Sequence, residues 1–380
     1  MPSRPGRLLS SLGGFTLCLV AGLIGCAPSA PSGGGAGGTV TGHADPVAPA
    51  ADGKRIILMT NGNSPFWDAC RVGMQAAEKE FKLAEAGLTA VLEVNDGTAK
   101  GQLDLLRQYG SQSDIVGVAI TVTDSENVAI AEELKNLQAK GVVTVIMDSD
   151  FKGELTKTRE FFIGTNNTNA GKELGKCAAA LRKDGGAYAT FFGLSGAQNV
   201  VERCAGFAEG AGAAFQSKDS LEDNMDRTKA KENVRNALQN HPDIKTLVGI
   251  WSYNAPAIVD VVREAGTRKE ITIVVTDAEP IAIQEMEGGM IDAMVVQNPY
   301  AMGYDSTRLI KALLAKDKAT VKEMFPKRGE PGGDIRETGL KVVIPDDSTA
   351  ITKDLLAPTT ELLKLSEFKE WLKKYDLKGS

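Results

Sequence analysis

From Lys54 onward, short apolar runs rich in β-branched residues alternate with segments whose apolar positions return every three or four residues. That alternation is the signal of βαβ units and parallel sheets. The runs predict strands over Arg55–Thr60, Thr89–Val94, Ile115–Thr121, Val142–Asp148, Ala187–Phe192, Thr246–Trp251, Ile271–Thr276 and Asp292–Val296. Between them, Phe66–Phe81 carries Ala69, Val72, Gly73, Ala76 and Ala77 at helical spacing, and Ser125–Lys140 does the same with Ile130, Ala131, Leu134 and Leu137. Each helix therefore has one face for a sheet. Eight strands exceed one simple half-sheet unit and the pattern restarts after about Gly164, so two similar α/β lobes are expected. The tail from Ile351, with Leu355, Leu356, Leu362, Leu363, Leu365, Phe368 and Trp371, reads as a helix docked on a lobe.

In open parallel sheets, ligands bind beyond the carboxyl ends of the strands. In this chain those positions are polar or aromatic: Asn61, Asn63, Ser64, Phe66 and Trp67 after the first strand, Thr121, Thr123 and Asp124 after the third, Asp148 and Ser149 after the fourth. The second lobe offers Ser195, Gln198 and Asn199, then Ser252, Tyr253 and Asn254, then Asp277, and finally Gln297 and Asn298. Rings beside carboxylates and amides suit a neutral polyol, whose C–H face stacks on a ring while its hydroxyls pair with Asp, Asn and Gln. For any single strand-end Asp or Asn, helix capping is the competing role, so the reading rests on the set.

The first residues have a different character. Arg4 and Arg7 precede an uncharged stretch from Leu8 to Gly25, which reads as a secretory leader. Its end, Leu23-Ile24-Gly25-Cys26, resembles the lipobox of bacterial lipoproteins. Cleavage there would leave Cys26 as the lipid-bearing first residue, anchoring the protein to a membrane at the periplasmic or cell-surface side. Ala27 to Asp52 is almost entirely Ala, Gly, Pro, Ser and Thr, too poor in apolar surface to fold, and reads as a tether. Its Gly33, Gly35 and Gly38 satisfy the spacing of a dinucleotide fingerprint, but without a strand before or a helix after them.

Composition narrows the function classes. The 380 residues are 42% hydrophobic and 24% charged, with 43 Lys and Arg against 49 Asp and Glu, a net charge of −6. No broad basic face is on offer for phosphates, so nucleic acid is not expected as a partner. Only two histidines, His43 and His241, are present, which thins the field of enzymes because His is the usual general base and zinc ligand. Gly171–Cys177 lacks P-loop spacing, and Gly193-Leu194-Ser195-Gly196 is not a nucleophile elbow. No catalytic residue, metal or cofactor is assigned. Cys70, Cys177 and Cys204 fit no zinc pattern; Cys177 and Cys204 fall on consecutive predicted helices, where an oxidising compartment could join them, the alternative being three buried free thiols.

Seven short pieces recur in order: Asn63-Ser64-Pro65-Phe66-Trp67, Thr123-Asp124-Ser125, Val145-Ile146-Met147-Asp148, Glu202-Arg203-Cys204-Ala205-Gly206-Phe207, His241-Pro242-Asp243, Thr276-Asp277 and Gln297-Asn298-Pro299. Together, over about Lys54 to Ile344, they resemble the ribose-type periplasmic sugar-binding proteins. The resemblance implies the type I periplasmic binding protein fold, two Rossmann-like parallel-sheet lobes joined by a three-crossover hinge. It implies lobes of residues 54–164 with about 298–337, and 165–297 with about 338–380, behind a leader at 1–25 and a tether at 26–53. The ligand would be a sugar or polyol and the partner an ABC transporter permease, with a chemoreceptor or sensor kinase as the alternative reader of the closed form. A monomer is expected.

Carried over residue by residue, the resemblance makes Phe66 and Trp67 stacking aromatics, Asp148 and Asp277 hydroxyl-binding acids, and Gln297 the cleft glutamine at the last crossover. Asn63, Ser64, Thr121, Ser149, Asn199, Met225, Tyr253 and Asn254 complete the expected ligand shell. Ser64 stands where ribose binders have Asn, Ser149 where they have Arg, Met225 where they have an aromatic, and Tyr253 where they have Asn, while Val201 replaces the Arg that precedes Glu202. Two lost guanidinium groups point to a sugar or polyol shaped differently from ribose. Arg203, on a predicted helix, is expected in a surface or interlobe ion pair.

Overall fold

In a computed structural model of the chain, residues 53–380 are described; the leader, Cys26 and nearly all of the tether lie outside them. One sheet is built first, from β1 (Lys54–Met59), β2 (Leu88–Glu93), β3 (Ile115–Ile120), β4 (Val143–Met147) and β5 (Phe162–Gly164). The helices α1 (Phe66–Glu80), α2 (Ala99–Ser111) and α3 (Val128–Ala139) connect its strands. After α4 (Asn167–Leu181), a second sheet takes β6 (Gly186–Phe192), β7 (Phe215–Glu222), β8 (Ile244–Gly249), β9 (Thr272–Thr276) and β10 (Ala293–Val296), joined by α5 (Gln198–Ala211), α6 (Arg227–Asn240), α7 (Asn254–Ala265) and α8 (Pro280–Glu287).

The chain then returns to the first lobe through α9 (Pro299–Leu314), α10 (Lys318–Met324) and β11 (Ile335–Glu337), and crosses back into β12 (Leu340–Ile344), β13 (Thr360–Lys364) and α11 (Leu365–Lys374). Strand order is β11-β5-β4-β3-β1-β2 in one sheet and β13-β12-β10-β9-β8-β6-β7 in the other, so the backbone passes between sheets three times. Every neighbouring pair runs parallel except β10 with β12.

Parallel sheets bury both faces, and the alternation along β1 serves two cores at once. Ile56 and Leu58 join one apolar cluster of the first lobe, and Ile57 and Met59 the other. The eight predicted strands are all present. The structure adds strands that the apolar pattern does not mark. Along β7, Gln216, Ser217 and Lys218 are exposed, as a strand at a sheet edge allows. The tail is also corrected: Leu362 and Leu363 lie in β13, pairing in parallel with β12, and the helix begins only at Leu365. Phe368 and Leu372 then enter the second lobe's core.

Each lobe also carries a helix pair in near-backbone contact. A Cβ on Gly206 of α5 would collide with the Thr168 carbonyl of α4, and one on Gly171 with the Arg203 carbonyl of α5. Gly175 and Gly210 repeat the arrangement one turn on. In the first lobe, Gly73 of α1 lies on Tyr300 and Gly303 of α9 on Cys70. The Gly171–Cys177 run that comes near a nucleotide motif is thus a helix-packing seam. It also bears on the cysteines. Of the two alternatives for Cys177 and Cys204, the structure has the free thiols, Cys177 sealed in the core and Cys204 half-buried beside Thr190 and Ser220.

Candidate functional site

The carboxyl ends of the strands in both sheets open onto one cleft, which encloses about 430 Å³ including its mouth. From the first lobe come Asn61, Gly62, Asn63, Ser64, Phe66, Trp67 and Asp148; from the second come Asn199, Arg203, Met225, Trp251, Ser252, Tyr253, Asp277 and Gln297. Phe66 and Trp67 open α1, their rings edge to face at 4.9 Å. The walls touch across the cleft: Ser64 Oγ lies 3.1 Å from Ser252 Oγ, which donates to Glu279 Oε1 at 2.9 Å, and the Ser125 amide donates to the Gly196 carbonyl at 2.9 Å.

Ten of the thirteen expected ligand residues line this cavity, and three do not. Thr121 continues β3 inward, its amide bonded to the Met59 carbonyl and its own carbonyl accepting from Gln102 Nε2. Ser149 is fully buried behind the turn at Asp148. Asn254 serves the framework: its Nδ2 donates to Asp223 Oδ2 at 2.8 Å and its Oδ1 accepts from the Trp251 amide at 3.0 Å. Tyr253 reaches the same Asp223 carboxylate with its hydroxyl. Asp223, absent from the expected shell, thereby organises the cleft wall beneath Tyr253.

The two acids of the cleft share an uncommon backbone. Asp148 follows β4 with φ 64° and Asp277 follows β9 with φ 66°. Asp and Asn are the side chains best tolerated in this left-handed region, which recurs at functional sites. Gln297 holds Asp277 with its Nε2, at 3.2 and 3.0 Å from the two carboxylate oxygens. Asp148 has only a 3.5 Å contact from Asn199 Nδ2, whose Oδ1 accepts from Trp251 Nε1 at 3.2 Å.

Burial pushes both carboxyls up, Asp148 to about 7 and Asp277 to about 6, against the lowering influence of Arg203; Asp277 raises Asp148 further. An acid whose folded value exceeds its unfolded one penalises folding increasingly as pH rises between the two. Asp148→Asn is therefore expected to stabilise the ligand-free protein little at pH 4 and by a few kcal/mol at pH 8, since each pH unit separating the folded and unfolded values is worth about 1.4 kcal/mol. Melting curves of both proteins across that range check this; a difference independent of pH would contradict the assignment.

Arg203 departs from the surface half of its expectation and keeps an interlobe influence, its charge acting on Asp148 of the facing lobe. Far from a surface ion pair, it is 1% exposed and lines the cleft. Its Nε donates to Asn167 Oδ1 at 2.9 Å and its Nη1 to the Ile250 carbonyl at 3.0 Å, while Nη2 has no partner. A signal for it exists in the sequence: on α5, Asn199 and Arg203 are four residues apart and share a face. Trp251 is missed by sequence reasoning because the strand pattern absorbs it. Among the described residues, no group of three His, Cys, Asp or Glu side chains is placed to hold a metal.

Known proteins share this architecture. The D-allose-binding periplasmic protein of Escherichia coli is 27% identical over 268 residues, spanning 69% of this chain and 84% of that protein. The ribose import binding protein of Bacillus subtilis is 24% identical over 255 residues, 66% of this chain and 78% of that one. A Burkholderia graminis ABC transporter solute-binding protein solved with D-arabinose superposes with a TM-score of 0.68 at 22% identity, covering 80% of this chain and 99% of that one. An Agrobacterium vitis solute-binding protein holding D-fucose gives 0.68 at 20% identity, covering 77% and 96%. With two sheets, three crossovers and a cleft at the strand ends, residues 55–318 also match the family model described as the periplasmic binding protein domain, and the chain belongs to that family.

Proposed function

We propose that this chain is an extracytoplasmic substrate-binding lipoprotein that captures one neutral sugar or polyol between its lobes and delivers it to an ABC importer. The observation that carries the reading is a pair of buried polar atoms without partners at the aromatic-walled cavity. Arg203 Nη2 is an unused donor and Gln297 Oε1 an unused acceptor. Buried groups left so are costly unless something fills them. A hydroxyl accepts from one and donates to the other, and neighbouring hydroxyls suit the Asp148 and Asp277 carboxylates. One guanidinium between two acids leaves no surplus positive charge for a phosphate or carboxylate, which favours an uncharged ligand.

Capture works by population shift: contacts made from both lobes at once favour the closed arrangement over the open one. Relatives named for D-allose and ribose support the sugar class. Export and anchoring through Cys26 rest on the leader and its lipobox-like end. They are tested by mass spectrometry of the amino-terminal peptide, where an unmodified Cys26 in membrane-associated protein would count against them.

The ligand is identified by a thermal-shift screen with D-allose, D-ribose, D-arabinose, D-fucose, inositols and disaccharides, followed by calorimetry. Asp277→Ala is expected to weaken the best ligand at least tenfold, about 1.4 kcal/mol. Unchanged affinity would remove Asp277 from the binding surface, and the absence of any sugar or polyol response in the unaltered protein would overturn the reading itself.

A further inference from the structure

Met225 stands in an unusual position. It follows β7 in a turn where Asn224 and Met225 both have positive φ, 54° and 62°. The turn is fixed from several sides: the Asn224 amide donates to the Gly193 carbonyl at 2.9 Å, and the Met225 amide donates to Asp223 Oδ1 at 2.8 Å. A backbone so constrained aims the side chain, and it is aimed out of its own lobe. On the facing lobe, Gly62 follows β1 and Gly97 follows β2. A Cβ on Gly62 would sit 2.8 Å from the Met225 sulfur, and one on Gly97 would occupy the place of its methyl group. Met225 also lines the cleft cavity. The same thioether thus forms a wall of the ligand space and fills a slot that exists only because two residues of the opposite lobe lack side chains.

We infer that Met225 is the size-selecting latch of this binding protein: seated between Gly62 and Gly97 it closes one end of the cleft, admits a single ring and retains it. The inference rests on the sugar reading above and adds the residue that limits ligand length. A flexible, polarizable thioether suits a contact made and broken at each cycle. A guest continuing past this end would have to expel the methionine from its slot, forfeiting contacts between lobes that favour closure.

Crosslinking tests the contact without any ligand. In a protein carrying Gly62→Cys and Met225→Cys, mild oxidation is expected to join the two positions, identified by mass spectrometry of the linked peptide, because a bond formed during transient closure is retained. Failure to join them over hours overturns the latch. Selectivity is tested with D-allose, D-ribose, D-arabinose and cellobiose. With Met225→Ala, the bound monosaccharide is expected to dissociate at least tenfold faster, with association within twofold, and cellobiose is expected to gain affinity. Met225→Leu restores most of the retention. In the Met225→Ala background, Gly62→Ala loses its effect, the sign of a direct coupling. A Met225→Ala protein that melts normally, keeps its dissociation rate and still rejects cellobiose overturns the latch and leaves the sugar reading standing. A crosslink between positions 62 and 225, in a doubly substituted protein whose parent binds none of the sugars, sinks the sugar reading and keeps the contact.

Discussion

Replacing Arg203 with methionine is expected to weaken ligand binding by a hundredfold or more while leaving a folded protein of reduced stability. Methionine keeps much of the buried volume and removes the charge and all donors. The ligand then loses the one unpartnered nitrogen of the guanidinium, and a hydrogen bond to a charged group is worth about 1.5–3 kcal/mol. Asp148 and Asp277, whose carboxyls Arg203 holds down, are also left facing each other in a dry cleft without that cation. Arg203 makes no direct ion pair with either acid, so its loss costs stability less than breaking a buried pair, which is worth about 3–5 kcal/mol. The sign of the pH effect is fixed by the same reasoning. Without the arginine both acids move further up, so the variant's deficit grows from pH 5 to pH 8 as protonation ceases to relieve it. Calorimetry and urea unfolding at the two pH values measure both effects; a deficit larger at pH 5, or equal affinity, would refute this role for Arg203.

The second large effect lies behind the site. Gly206→Ala is expected to cost about 3 kcal/mol, at the upper end for a single added methyl, because the atom it meets is backbone, not a side chain that can turn aside. The two helices must separate, and the start of α5 carries Asn199 while its next turn carries Arg203. Urea unfolding should show a lower midpoint at unchanged slope, and ligand affinity should fall with it. An alanine variant as stable as the parent would mean that α4 and α5 do not meet as closely as described.

Much of the fold is legible in the amino-acid sequence alone. The strands that build both sheet centres announce themselves because a strand buried on both faces must be apolar throughout, and the strand ends stand out because they are not. Three kinds of feature stay hidden. β7 carries the composition of a loop, since one edge and much of its surface meet water. Leu362 and Leu363 sit in a run too short to separate strand from helix by periodicity, and the partner that makes them a strand, β12, is distant along the chain. Arg203 reads as a surface residue because a long cation on a helix usually is one; only the tight seam under α5 draws it inward. Conversely, Thr121, Ser149 and Asn254 are polar residues at the right strand ends that are buried outside the cavity lining, Asn254 bonded to Asp223 and Trp251, a choice that the position along the chain does not encode.

The left-handed turn at each cleft acid narrows what can stand there. Backbone geometry at positions 148 and 277 admits few side chains, and the ligand's demand for a short polar group admits fewer, so Asp and Asn are the pair that meets both conditions. Exchanging one for the other leaves the main chain undisturbed and replaces a carboxyl whose hydrogen-bonding changes with pH by an amide that both gives and accepts at every pH. On the proposed reading, two single-letter changes retune which hydroxyl pattern is bound, with no rebuilding of the scaffold.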